Sequence, residues 1–237
     1  MRLLAVDRDS KTRKGRRYRF VTGILYLIAH KGSGRGNVCK HASAGCAENC
    51  LLTAGRGVMQ SVREGRQRKT DLFFDDCPRF MDDMSWDIHA LERKASREDM
   101  TPCVRPNGTS DLLWERIRDR DGLTLMERFP HVQFYDYTKY PNRDTGYANY
   151  HLTFSLSETN GVQALLELRR GRNVAVVFDR RKGQPLPAQW FGHTVVDGDE
   201  SDLRFLDASP DGRAVVVGLR AKGKAKHDDT GFVQIGG

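Results

Sequence analysis

The sequence predicts an α/β protein built on a parallel sheet that curves into a partial (β/α) barrel-like array. Apolar, β-prone segments recur along the chain, and several are near-continuous apolar runs, as is typical of strands buried on both faces of a parallel sheet. Amphipathic helical patterns lie between many of these segments, which indicates βα alternation. The seven predicted strands are residues 22–28, 101–105, 131–137, 149–155, 173–178, 193–197 and 214–219.

Four segments have apolar residues at helical spacing. The strongest pattern runs from Phe80 to Ala95 and repeats every three or four residues. A shorter one, from Val162 to Leu168, ends before Gly171, a residue suited to the left-handed turn after a helix. The other two patterns span residues 51–62 and residues 112–117. Each of the four predicts a helix packed on the sheet.

The first nineteen residues differ in composition from the rest of the chain. The segment from Lys11 to Arg19 holds six basic residues and no acidic one. Such a charge density favours a solvated segment. We therefore expect a basic arm over residues 1–19 and a single α/β domain over residues 20–237.

Composition excludes some classes of protein. The longest largely apolar stretch, from Phe20 to Ala29, is about half of the roughly 20 residues that a membrane-spanning helix needs. The first ten residues reach Asp7 before any apolar leader segment develops. We therefore expect no membrane association and a cytoplasmic location. In that reducing compartment, the five cysteines are not expected to form a disulfide framework.

Polar residues follow several of the predicted strands. The carboxyl ends of parallel strands meet at one edge of a sheet, where loops present side chains without disturbing the core. Turns are made of similar residues, so a single polar loop carries little information, but the joint pattern favours a ligand site. The residues expected to line it are Asn107, Ser110, Asp111, Asp136, Lys139, Glu158 and Asp199.

Three cysteines, Cys39, Cys46 and Cys50, lie within twelve residues after the first predicted strand. Thiolates are the usual ligands of iron–sulfur clusters, and a loop rich in alanine and glycine could wrap a cluster closely. The favoured interpretation is a [4Fe-4S] cluster with one iron left open. We expect Cys50 to begin a helix, whose positive end would stabilise its thiolate.

Two alternatives stay open for the cysteines. They could hold zinc, with His30, His41 or Cys77 as the fourth ligand, although zinc ligands usually come in closely spaced pairs and no second pair follows. They could also be ordinary packed cysteines. Of the other two, Cys77 has acidic neighbours that should raise its pKa and leave it inert, and Cys103 lies in a predicted strand.

Five strings of this sequence are long enough to be specific: CKHASAGCAENCLLTAGRG, RPNGTSDLLWE, FYDYTKYPNR, NYHLTFSLSE and NVAVVF. Together they resemble a protein family of tailed bacteriophages and their hosts whose activity is not established. The resemblance spans about residues 23–232 and implies a phage origin, with an infected bacterial host as the place of action.

A cysteine triad after the first strand of a βα array is also distantly similar to radical S-adenosylmethionine enzymes. In those enzymes three cysteines hold a [4Fe-4S] cluster whose open iron binds the methionine moiety of the cofactor. Only Cys39, Cys46 and Cys50 match that pattern, with C-x6-C-x3-C spacing in place of C-x3-C-x2-C. The similarity implies S-adenosylmethionine as a further cofactor.

The charge balance indicates a polyanionic partner. The chain has 39 basic and 31 acidic residues, a formal net charge of +8, and a pI near 9.4. Basic residues cluster in the arm and at residues 63–69, 169–172 and 222–226. A nucleotide or nucleic acid fits this pattern, and a solvated charged surface is the alternative.

Together these features favour an iron–sulfur protein that modifies a nucleotide or nucleic acid. Asp111, Lys139 and Glu158 are the candidate catalytic groups, and Lys139 and Asp111 could serve in acid–base chemistry or in positioning phosphate. One alternative is a zinc-stabilised nucleic-acid-binding or host-takeover protein. Another is a metal-dependent phosphohydrolase that uses Asp111, Asp136 and Asp199 around divalent ions.

Overall fold

The computed structural model describes residues 1–8, 10–50 and 55–235, which form a mixed α/β fold. The strands are β1 (Leu4–Val6), β2 (Phe20–Leu25), β3 (Thr101–Arg105), β4 (Gln133–Thr138), β5 (Tyr150–Ser155), β6 (Val174–Phe178), β7 (Gln189–Trp190), β8 (His193–Asp197) and β9 (Val216–Arg220). The α-helices are α1 (Ser10–Gly15), α2 (Ala44–Glu48), α3 (Gln60–Asp75), α4 (Cys77–Arg97), α5 (Leu125–Arg128) and α6 (Gly161–Arg169).

The nine strands within the described residues follow the order β1-β2-β3-β4-β5-β6-β9-β8-β7. Neighbours β2 and β3, β3 and β4, β5 and β6, β6 and β9, and β8 and β9 pair in parallel. The strands at the two ends, β1 and β7, pair antiparallel with β2 and β8. The sheet is therefore mostly parallel and is not closed, since β1 and β7 each have one neighbour.

The first of two compact units comprises Met1–Lys40, Met59–Asp136 and Asp144–His151. Its core forms where α4 packs on β1, β2 and β3. Helix α4 begins after Asp76, whose side chain accepts a hydrogen bond from the Arg79 amide. Its apolar face is buried throughout, at Phe80, Met81, Met84, Ile88, Leu91 and Ala95.

The second unit comprises His41–Val58, Tyr137–Arg143 and Leu152–Gly237. One of its apolar cores forms where α6 meets β6 and its neighbouring strands. Helix α6 ends at Arg169, and Gly171 follows with a φ of +82°, a value that glycine adopts without steric cost. The buried members of this core are Phe154, Leu156, Ala164, Leu168, Val174, Val176, Phe178, Ala214 and Val216.

All seven predicted strands are present, and two of them, residues 101–105 and 193–197, have the predicted bounds. The predicted helices over residues 80–95 and 162–168 are also confirmed. Apolar strand runs and helical apolar repeats both reflect burial on one or two faces of a single element. They can therefore be recognised within a short stretch of sequence.

Two helix predictions differ from the structure. Residues 112–117 contain only a short 3-10 helix, Trp114–Arg116, because Leu112 and Trp114 bond to the Asn107 side chain instead of continuing a helix. After the cysteines, residues 51–54 lie outside the described residues, Val58 ends a 3-10 helix, and α3 begins only at Gln60.

The expected basic arm contains regular structure. Leu3 and Leu4 are buried, and β1 pairs with β2. Asp87 of α4 accepts hydrogen bonds from the Leu3 and Leu4 amides at 2.6 and 2.8 Å. Lys69 of α3 donates to the Leu3 carbonyl at 2.5 Å. A three-residue strand is too short for a periodic pattern, so it could not be read from the sequence.

Lys69 makes the stability of the protein depend on pH. Burial lowers its pKa to about 8, against an ordinary value of 10.5. Between these two values the unfolded chain binds more protons at this site than the folded one, so folding becomes more favourable as pH rises. The unfolding free energy of the parent protein, minus that of Lys69→Met, should rise between pH 8 and pH 10.5 and stay constant below pH 8.

Urea denaturation across that pH range measures the effect, with the exposed Lys182→Met as the control for the loss of one lysine. A difference between the parent and Lys69→Met that stays constant from pH 8 upward would contradict the burial of this ammonium group.

Candidate functional site

A buried polar network joins the loop after β3 to Asp136 in β4 and to Tyr150 at the start of β5, all in the first unit. Asp136 is fully buried, and its carboxylate accepts hydrogen bonds from the Asn107 amide at 2.8 Å and the Asn107 side chain at 2.9 Å. The Tyr150 hydroxyl donates to the same carboxylate at 2.7 Å. Three donors from two segments therefore converge on one carboxylate, which fixes the loop after β3.

Asn107 extends this network into its own loop. Its side-chain oxygen accepts hydrogen bonds from the Ser110 hydroxyl at 2.7 Å, the Leu112 amide at 2.9 Å and the Trp114 indole at 3.1 Å. Gly108 donates its amide to the Leu25 carbonyl at 2.9 Å, next to the end of β2. The predicted residues Asn107, Ser110 and Asp136 are thus brought together, as components of a hydrogen-bonded scaffold.

Cys39 lies beside this loop. Its sulfur is 3.4 Å from the His30 amide, which donates to it, and 3.7 Å from the Thr109 carbonyl. The Thr109 hydroxyl donates to the Leu27 carbonyl at 2.5 Å, and the Asp111 amide donates to the Val38 carbonyl at 2.8 Å. The start of the cysteine loop and the loop after β3 therefore share the carboxyl edge of β2 and β3.

The other two cysteines belong to the second unit, where Glu158 holds the segment that carries them. Its carboxylate accepts hydrogen bonds from the Ser43 hydroxyl and the Gly45 amide, both at 2.7 Å. Ser43 is the N-cap of α2 and also accepts from the Cys46 amide at 3.2 Å. Glu158 follows β5, so a predicted site residue anchors the cysteine-bearing helix to a strand end.

Asp228 holds the end of the same helix. It accepts hydrogen bonds from the side chain of Asn49, the residue after α2, at 2.6 Å, and from the Val233 amide at 2.9 Å. Burial alone would raise the pKa of Asp228, but these bonds and that from the Thr230 hydroxyl lower it below its ordinary value. This role leaves no local sign in the sequence, since the contact joins residues 179 positions apart.

Helix α2 begins after Ser43, its N-cap, and ends at Glu48, so Cys46 lies within this helix and Cys50 follows it. Residues 51–54, where the helix expected to begin at Cys50 would start, lie outside the described residues.

The direction of the Cys77 pKa shift and the strand position of Cys103 agree with expectation. Burial, with the Asp76 charge as a second cause, raises the pKa of the Cys77 thiol. Cys103 is buried in β3, with its sulfur 3.2 Å from the Thr22 hydroxyl.

Lys139 and Asp199 make separate contacts in the second unit. The Lys139 ammonium donates to the Ser155 hydroxyl at 2.9 Å and lies 5.7 Å from the centre of the Phe232 ring. Asp199 accepts from the Lys222 ammonium at 2.7 Å and from the Arg220 amide at 3.1 Å. The structure thus places Lys139 at the carboxyl end of β4 and Asp199 in an ion pair after β8.

The three clustered cysteines are the candidate metal ligands of the chain. Cys39, Cys46 and Cys50 are free thiols of intermediate exposure, and an N–H donor to sulfur, as at Cys39, is a feature that tunes cluster thiolates. Within residues 1–8, 10–50 and 55–235, however, no three His, Cys, Asp or Glu side chains are grouped so that they could hold a metal ion.

The fold and these contacts define an open, mostly parallel α/β protein whose cysteine loop is tied to the carboxyl ends of its strands. A family model described as Gene product 88, a phage-type gene product family, matches residues 2–235. The chain belongs to the Gene product 88 family. Neither a curated protein sequence nor a solved structure gives a significant match. In the described part of the chain, no helix has the length and apolar character needed to cross a bilayer.

Proposed function

We propose that this protein is an iron–sulfur protein in which Cys39, Cys46 and Cys50 ligate a [4Fe-4S] cluster at the carboxyl edge of a partial (β/α) barrel-like sheet. One observation carries the proposal. The cysteine loop is hydrogen-bonded to loops at strand ends, through Cys39 in the first unit and through Glu158 in the second. Ligands in α/β proteins bind at these strand ends.

The contacts support different roles for the predicted site residues. Asn107, Ser110 and Asp136 bond mainly to one another, which suits residues that hold a loop in place. Glu158 bonds to the capping residue of α2 and would position the cysteine segment. Asp111 and Lys139 are half-buried at strand ends and stay the candidates for acid–base chemistry or phosphate positioning, with Asp199 as a further polar group.

We propose reductive or radical modification of a nucleotide or nucleic acid as the reaction, in the cytoplasm of an infected bacterium. The net charge of +8 supports a polyanionic substrate. The radical form of the reaction is proposed from the place of the cysteine triad in the sequence alone, after the first parallel strand. In such a protein the cluster, together with S-adenosylmethionine, would supply the radical chemistry.

Metal content measured without oxygen tests the cluster. Protein purified and reconstituted anaerobically should be brown and hold about four irons per chain, whereas the triple variant Cys39→Ala, Cys46→Ala, Cys50→Ala should hold none. Cys77→Ala is the matched control, because this thiol lies outside the triad, and it should keep the iron content of the parent. Far-UV circular dichroism checks that each variant is folded.

Three outcomes would overturn the proposal. Parent protein that is folded and iron-free after reconstitution excludes the cluster. Stoichiometric zinc that cannot be replaced by iron indicates a structural zinc site, and iron retained by the folded triple variant places the metal elsewhere. Where the triple variant fails to fold, the three single Cys→Ser variants replace it, and each should lower the iron content.

A further inference from the structure

The first unit carries a groove of about 400 Å³ between β1 and the C-terminal half of α4. Four arginines line it, two flanking the strand, Arg2 and Arg8, and two on the helix, Arg93 and Arg97. We call this surface the basic groove. All four side chains are exposed. Because Arg93 and Arg97 are four positions apart on α4, they lie on the same face of the helix.

The carboxylates near the basic groove are already engaged. Asp87, which also lines it, accepts hydrogen bonds from the Leu3 and Leu4 amides. Glu92 contacts His89 and His131, and Glu98 contacts Lys94 and Arg16. The acidic groups of this region are therefore directed at other partners.

Among the described residues, the four arginines have no such partner. In the part of the chain that the structure describes, no ion pair joins Arg2, Arg8, Arg93 or Arg97 to a carboxylate. One of them, Arg8, also acts on Lys69: burial is the main cause that lowers the Lys69 pKa to about 8, the Asp87 carboxylate opposes it, and the Arg8 charge adds to it. The groove thus concentrates positive charge, with five basic side chains and one carboxylate, Asp87, in its lining.

We propose that the basic groove binds the phosphate backbone of a nucleic acid. Guanidinium groups match phosphate oxygens in a two-pronged geometry, and four of them in one groove offer several phosphate contacts. An anionic membrane fits less well, because the leucines that line the groove, Leu4 and Leu91, are buried and not available for insertion. Contacts of this kind position the nucleic acid without reading its sequence.

The inference does not depend on the cysteine triad. The basic groove contains none of the cysteines and none of the residues assigned to the proposed reaction. Loss of iron would leave the groove unchanged, and loss of the arginines would leave the cysteines unchanged. Iron content measured on the same samples therefore separates a failure of this inference from a failure of the proposed function.

Binding of fluorescein-labelled DNA to the full-length protein tests the inference, by fluorescence anisotropy at increasing salt. The double variant Arg93→Gln, Arg97→Gln should bind duplex DNA about tenfold more weakly at low salt, for oligonucleotides of unrelated sequence alike. The slope of log K against log salt should become shallower by about 1.8 for duplex DNA and about 1.4 for single strands, because two phosphate contacts are lost. Arg2→Gln with Arg8→Gln should have a similar effect.

The matched control removes two other exposed arginines. Arg79 lies in the first turn of the same helix, about 21 Å from Arg93 at 1.5 Å per residue, and Arg181 is exposed in the second unit. Arg79→Gln with Arg181→Gln changes the net charge equally and should leave the slope within about 0.5 of the parent value. An equal loss in the control and groove variants would show a general charge effect and overturn the site.

Two further results would overturn the inference. The parent protein could fail to bind DNA at low salt, or the groove variants could bind with the affinity and slope of the parent. The second binding measurement uses vesicles that contain phosphatidylserine. Binding to these vesicles that depends on the groove arginines, without binding to DNA, would assign the surface to a membrane instead.

Discussion

Replacing Asp136 by alanine is expected to lower the free energy of unfolding by about 3–5 kcal/mol. The carboxylate is fully buried and accepts hydrogen bonds from the Asn107 amide, the Asn107 side chain and the Tyr150 hydroxyl. Alanine leaves these donors buried without their acceptor, and each unsatisfied group costs about 1–3 kcal/mol. The loss is large because one residue serves two segments of the first unit.

Urea denaturation measures this loss, with far-UV circular dichroism and tryptophan fluorescence as probes. Trp114 donates to Asn107, so its emission reports on the same network. Tyr150→Phe is the graded control, since it removes one donor and leaves both Asn107 bonds, and it should cost about 1–2 kcal/mol. A loss below about 1 kcal/mol for Asp136→Ala would mean that the three donors are satisfied in another way.

Gly108→Ala should destabilise the protein by about 2–4 kcal/mol, because the position has no room for a methyl group. An added Cβ would lie 2.5 Å from the Leu25 carbonyl oxygen, 2.6 Å from Ile24 and 2.7 Å from Tyr26. The closest atom is backbone, so the clash cannot be relieved by turning a side chain. The loop after β3 would have to move away from the end of β2.

Gly65→Ala is the matched control for the same chemical change. Gly65 lies inside α3, and the nearest atom to an added Cβ is 3.9 Å away, at the tip of Arg68. Alanine in an open helical position should stabilise the protein by about 0.5–1 kcal/mol. The two substitutions should therefore shift the urea midpoint in opposite directions. A midpoint for Gly108→Ala that equals the parent value would contradict the close approach of the loop to β2.

Much of the fold could be predicted because it depends on local pattern. The apolar run from Val174 to Phe178 and the helical repeat from Phe80 to Ala95 each encode burial within one element. The failures have a different origin. The pattern at residues 112–117 has the spacing of a short helix, but Trp114 bonds to Asn107 in the preceding loop. A contact outside the segment overrode its local preference.

In the candidate site, too, some groupings could be predicted from the sequence and others depend on contacts between distant segments. The rule that strand ends share an edge grouped Asn107 with Asp136, and the structure joins them at 2.9 Å. The rule could not show that Tyr150 completes that group or that Glu158 bonds to the cap of α2. Such partners come from segments far apart in the chain. The spacing of residues within one segment does not show which distant segment it will contact.

The strands at the ends of the sheet have a consequence for solubility. Strand β1 has three residues and β7 has two, and both run against their neighbours. A long open strand offers unpaired amides and carbonyls on which another molecule can add, which is a common route to aggregation. Brief terminal strands offer few such groups, and basic side chains at Arg2 and Arg8 would repel an approaching copy. The wide parallel sheet therefore offers a second copy few unpaired backbone amides and carbonyls with which to pair.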